Sequence, residues 1–170
     1  MLPTQILLNN FLYDISELTL PTDRVDEEYI EKPKKWDIAF IQRFMLVFGG
    51  ISSLFDFLTY FIMLMVFKAP EPLFQTAWFI ESLATQTLVI FAIRTRKSLF
   101  KGKPSIPLTI TTLAIVAFAS IIPLMVMGKL FGFVEPPAIL YVVIGALVRI
   151  YLLLVETTKK WFYERELERQ

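Results

Sequence analysis

The chain contains no cysteine and no histidine among its 170 residues. It can therefore form no disulfide, use no thiol nucleophile or imidazole base, and build no zinc site of the usual Cys/His kind. A Ser/His/Asp set is excluded for the same reason, and no glycine-rich phosphate loop is present. Charge is also scarce: charged residues make up 19% of the chain, against about 25% in an ordinary soluble domain. The basic residues cluster at the ends of apolar runs and form no aromatic-interleaved stripe, which argues against nucleic-acid binding. The N-terminal stretch has no basic n-region, and acidic groups interrupt its apolar run, unlike a secretory signal.

Apolar residues take the place of what is missing. They make up 55% of the sequence, with 16 phenylalanines. They come in runs too long for a water-soluble core, so the sequence is that of an integral membrane protein. A spanning helix needs about 20 mostly apolar residues. Five such stretches are expected, at approximately 2–20, 44–66, 74–93, 106–127 and 138–155. This is an all-α, polytopic helix bundle forming one transmembrane domain over 1–170. Pro21 closes the first span, and Ala69-Pro-Glu-Pro72 forms a tight turn after the second. Lys32-Pro-Lys-Lys-Trp36 places positive charge and an interfacial indole before the second span, and Trp161, Phe162 and Tyr163 mark an aromatic belt after the fifth.

The Lys and Arg distribution sets the expected orientation. Fourteen fall on one side of the five spans, Lys68 and Lys129 on the other, and Arg149 inside. Loops 22–43 and 94–105 and the tail 156–170 are thus expected to be cytoplasmic, in a plasma membrane, with the C-terminus inside. An odd number of spans then puts Met1 outside, a topology that a further helix before Met1 would explain.

Charge within the spans is costly and points to function by default. In the first span Asn10, Asp14 and Glu17 are four and then three residues apart and share a helical face. Stacked amide and carboxylate oxygens suit a hard cation such as Mg²⁺ or Ca²⁺. The same stretch also reads as an amphipathic helix with its polar face in water. Glu81 lies roughly 18 Å and Asn10 roughly 15 Å from the cytoplasmic ends of their spans, at ~1.5 Å per residue. Both can thus reach one ion, with Asp14 a turn nearer the cytoplasm. Asn10, Asp14 and Glu81 are the candidate metal ligands. Alternatively, Glu81 is a neutral, hydrogen-bonded acid or faces a water-filled crevice. Asp56 and Arg149 either pair and lock two helices, or Arg149 snorkels to the interface and Asp56 is neutral or paired elsewhere. Ser52-Ser53 after Gly49-Gly50 reads as a small-residue packing patch.

Leu2-Pro-Thr-Gln-Ile-Leu-Leu-Asn-Asn-Phe-Leu-Tyr-Asp14, Leu20-Pro-Thr-Asp23, Ser52-Ser-Leu-Phe-Asp56, Phe74-Gln-Thr-Ala-Trp-Phe-Ile-Glu81 and Arg94-Thr-Arg-Lys97 together resemble the C-terminal membrane region of P-type cation ATPases, magnesium-transporting branch. The resemblance implies that the five spans are helices six to ten of a ten-helix pump. It also implies that Asn10, Asp14 and Glu81 fall on cation-site positions, with Mg²⁺ as the transported ion. Tyr13 and Ile15 flank Asp14 where calcium pumps usually carry Thr and Gly, which favours the magnesium type. The family's phosphorylated Asp-Lys-Thr-Gly motif is not in this sequence, so ATP would act only through domains outside it, and the chain alone is expected neither to hydrolyse ATP nor to form a phosphoenzyme. Its expected partners are the bilayer and the pump's N-terminal half. The competing reading is a free-standing helical membrane protein, either ion-conducting or pump-associated.

Overall fold

A computed structural model describes residues 1–23, 38–95 and 104–167, with side chains described through Arg165. Among these residues there is helix and no strand. The helices are α1 (Pro3–Glu17), α2 (Ile38–Phe61), α3 (Glu71–Ile93), α4 (Ile106–Ile121), α5 (Val126–Leu130) and α6 (Ala138–Leu167). Most of loops 22–43 and 94–105, including Lys32 to Trp36, lies outside the described residues.

Four helical stretches are long and apolar enough to cross a membrane: Ile38–Val66, Glu71–Ile93, Ile106–Leu124 and Ala138–Arg165. The expected first span is shorter than the rest. Its helix has 15 residues, roughly 22 Å at ~1.5 Å per residue. Hydroxyls help to end it. Ser16 Oγ donates to the Tyr13 carbonyl at 2.7 Å, Thr19 Oγ1 to Ser16 at 2.9 Å and Thr22 Oγ1 to Thr19 at 2.6 Å. These side chains take carbonyls that a continuing helix would use, and a 3₁₀ turn, Leu20–Thr22, follows at Pro21.

The other spans keep their expected places but not all their ends. α2 starts at Ile38 rather than near 44 and finishes in a π-helical turn, Ile62–Val66. Polar Gln42 and Arg43 sit on its first turns, because a helix does not have to end where hydrocarbon does. Pro123 breaks the fourth span into a 3₁₀ turn, Ile122–Leu124, before α5. α6 runs through the expected interface to Leu167 as one 30-residue helix.

α3 is the hub. It packs on α1, α2, α4 and α6 and is the most buried of the four spans. Phe79, Leu83 and Ala77 on α3 join Leu12 of α1, Ile115 and Ala119 of α4, and Leu140 and Ile144 of α6 in the larger core. A second core, at the other end, joins Phe48 and Phe55 of α2 to Ala92 of α3 and Leu147, Tyr151 and Phe162 of α6. The outside is greasy: Leu46, Phe57, Ile106, Val126 and Leu130 are among many exposed large apolar residues. Such a surface suits lipid rather than water. Gly49 and Gly50 also face outward. A methyl group added at either would meet nothing within 4 Å, so neither glycine packs against a helix of the described bundle.

Each end is tied by polar contacts. At one end Gln5, wholly buried, accepts from the Leu2 backbone N–H at 3.0 Å and donates to the Phe131 carbonyl at 3.0 Å. Thr76 Oγ1 accepts from the Val134 N–H at 3.1 Å. Gly132, between these contacts, has φ +75°, and a Cβ there would meet Leu2 Cδ1 at 2.6 Å. At the other end Asp23 accepts from Arg94 Nη1 at 2.6 Å and from the Ser105 N–H at 2.8 Å, joining α1, α3 and α4. Lys159, only 1% exposed, donates to the Ala92 carbonyl at 2.9 Å and pairs with Glu156 at 2.7 Å.

Candidate functional site

The predicted ligands fall in two places. Asn10 and Asp14 lie on the exposed face of α1, with Leu7, Phe11 and Leu18. The opposite face, Gln5, Asn9, Leu12 and Ser16, is buried against α3 and α4. Asn9 is thus the asparagine that turns inward; its Nδ2 donates to Gln86 Oε1 of α3 at 3.5 Å, and Gln86 in turn donates to Ser82 Oγ at 3.1 Å. The interior role of Asn9 was legible as the stripe Gln5, Asn9, Leu12, Ser16, whose steps of four, three and four residues follow one helix face.

Glu81 is inside the bundle, 1% exposed. It is five residues from Gln86, or about 140° around the helix at ~100° per residue, and it is Gln86 that makes the side-chain hydrogen bond to α1. Among the described residues neither carboxylate oxygen of Glu81 has a hydrogen-bond partner. Its charged neighbour is Asp56 of α2. Thr85, one turn along α3 from Glu81, donates to the Glu81 and Ser82 backbone carbonyls at 3.0 Å each.

Asp56 is half-buried, with the Trp78 indole as its polar neighbour. Arg149 is exposed, and no ion pair joins it to Asp56. Of the two arrangements open for Arg149, the structure shows the outward one. Glu17 is partly exposed at the end of α1. Among the described residues no three acidic side chains converge as a metal cluster.

Membrane-length helices around a hub that buries an unpartnered carboxylate, beside a second acid, define a polytopic membrane protein with ionisable groups in its interior, the class that includes ion-translocating proteins. The family model described as cation transporting ATPase, C-terminus, matches residues 1–161. The chain belongs to this family. It is 38% identical over 97% of its length to the magnesium-transporting ATPase, P-type 1, of Salmonella typhimurium strain LT2, and 36% identical over 97% to that of Escherichia coli K12. A third relative, the protein of the same name from Salmonella typhimurium strain 14028s, is 44% identical over 72% of the chain. The chain spans only 19%, 19% and 14%, respectively, of these relatives' length.

Proposed function

We propose that this chain is the C-terminal membrane part of an ATP-driven Mg²⁺ pump and supplies oxygen ligands along the ion's path. Asn10 and Asp14 would do so from the outward face of α1, and Glu81 from within the bundle. The observation that carries the reading is that outward face. A carboxylate and an amide stand one turn apart among exposed Leu7, Phe11 and Leu18. Facing lipid, the acid would be costly; against further helices of a pump, it becomes a ligand on an interior wall. Mg²⁺ keeps several waters and needs few protein carboxylates, so two side chains of α1 are a sensible share of its shell.

The bundle end that carries Arg43, Arg94, Lys159, Lys160 and Arg165 would be cytoplasmic, in the plasma membrane, because it holds most of the cations. ATP binding and phosphorylation would belong to the rest of the pump, the N-terminal helices and cytoplasmic domains.

The test is a pump carrying this chain as its C-terminal membrane part, assayed for Mg²⁺-stimulated ATPase activity. Asp14→Ala should raise the Mg²⁺ concentration for half-stimulation about tenfold or more, ~1.4 kcal/mol of ion affinity. Glu81→Ala should lower the response as well. An unaltered Mg²⁺ response in both would remove these residues from the ion's path.

A further inference from the structure

The candidate ligands stand on two helices, Asn10 and Asp14 on α1 and Glu81 on α3, so the depth and rotation of α1 against α3 decide how they are placed. α1 packs on α3 and α4 from one side, and its position rests on the ties it makes to them. At mid-helix the tie is Asn9 to Gln86, long at 3.5 Å. Past the end of α1 it is of another kind. Asp23 Oδ2 accepts from Arg94 Nη1 at 2.6 Å, with the Arg94 side chain 6% and the Asp23 side chain 10% exposed. A charged hydrogen bond of that length resists displacement far better than a long neutral one. Asp23 Oδ1 accepts from the Ser105 N–H at 2.8 Å. Ser105 is the N-cap of α4: its Oγ accepts from the Leu108 N–H at 3.3 Å and lies 3.1 Å from Thr22 Oγ1. Arg94 caps the C-terminal end of α3. One carboxylate thus joins the end of α3 to the start of α4.

This node is connected to the ligand face of α1 by a ladder of hydroxyls. Thr22 Oγ1 donates to the Thr19 carbonyl, Thr19 Oγ1 to Ser16 and Ser16 Oγ to Tyr13. The rungs are three residues apart and run from beside Asp23 to beside Asp14. Backbone bonds brace the same stretch, Leu18 N–H to the Asp14 carbonyl at 3.1 Å and Asp23 N–H to the Leu20 carbonyl at 2.9 Å. A stem so braced passes a displacement at Asp23 to Asp14 instead of absorbing it. We infer that Asp23 and Arg94 are positioning residues for the ion's path: their ion pair, closed onto the α4 N-cap, sets the register of α1 against α3 and so holds Asn10 and Asp14 in place relative to Glu81. Asp23 spends both of its oxygens on Arg94 and Ser105 and is not itself a ligand. The inference rests on the reading of Asn10, Asp14 and Glu81 as ligands.

The test is the pump carrying this chain, assayed for Mg²⁺-stimulated ATPase activity per folded pump. Asp23→Asn keeps an oxygen for the Ser105 N–H and removes the ion pair. It should raise the Mg²⁺ concentration for half-stimulation about fivefold, as residues that touch no ligand can, with the rate at saturating Mg²⁺ within about twofold of wild type. Arg94→Gln should give the same shift, and the double variant no more than either single one, because both remove one interaction. Should neither neutral variant fold, Asp23→Glu keeps the charges, lengthens the tie by one methylene and should still raise the half-stimulation concentration. A merely structural tie would lower the yield of folded pump and leave half-stimulation where it was. That result, or additive shifts in the double variant, would overturn the positioning role. Asp14→Ala and Glu81→Ala in the same assay separate the two readings. If they shift the Mg²⁺ response and the Asp23 variants do not, the register lock alone fails; if they do not, the ligand reading fails and takes the lock with it.

Discussion

α1 and α3 both carry acids at membrane depth, yet they treat them in opposite ways. Glu81 of α3 is buried among the neighbouring helices, whereas α1 turns Asp14 outward and buries amides and a hydroxyl instead. The difference follows from position. α3 touches four other helices, so most of its side chains, Glu81 among them, are enclosed. α1 touches α3 and α4 on one side only. The lesson is that the same residue type carries a stability penalty in one helix and an open ligand in the other.

Reversing charge breaks the comparison hardest. Glu81→Lys puts a longer, cationic side chain into a closed position whose charged neighbour is Asp56, and overpacking together with desolvation of the ammonium should cost about 3 kcal/mol. Asp14→Lys changes an exposed position and should alter the stability of the bundle by about 0.5 kcal/mol or less. Thermal unfolding of both variants in the same detergent reads the contrast. Equal losses would mean that α1 and α3 are equally enclosed.

The ties at the two bundle ends come next. Arg94→Ala leaves Asp23 without its cation while the Ser105 N–H still binds it; both side chains are largely buried in the present pair. A loss of about 3 kcal/mol is expected, read as early release of α1 and α4 in hydrogen exchange. Gly132→Ala, at the opposite end, forces a Cβ into Leu2 and into a left-handed backbone conformation. It should cost about 1–2 kcal/mol, and a silent substitution would show that the loop relaxes away from Leu2.

Much of this arrangement was legible from residues alone, for reasons that also explain the errors. Long apolar runs place α2, α3, α4 and α6 because hydrocarbon length sets span length. Ends were less legible, since the start of α2 and the tail of α6 continue as helix into polar sequence that a hydropathy reading assigns to loops. The short α1 turned on local hydroxyl competition by Ser16, Thr19 and Thr22. For the site, spacing showed that Asn10 and Asp14 share a face. It did not show which way that face points, because this depends on how α1 is rotated against α3. Asp56 next to Glu81 was also hidden, because their separation in sequence carries no period that would align α2 with α3.

The smallest predicted difference is the sharpest, since it concerns two adjacent residues of one type. Asn9 donates to Gln86 from the buried side of α1, and Asn10 points outward. An interhelical side-chain hydrogen bond in a membrane protein is worth about 0.6 kcal/mol on average, and the 3.5 Å contact of Asn9 is a long one. Asn9→Ala should therefore lower bundle stability by roughly 0.5 kcal/mol, with little direct effect on the Mg²⁺ response. Asn10→Ala should leave stability unchanged and weaken Mg²⁺ stimulation of the assembled pump. Measuring both variants in both assays separates packing from ligation within a single turn. If Asn9→Ala proved the more damaging to the Mg²⁺ response, the ion would approach α1 from its α3 side, and the outward face would lose its role.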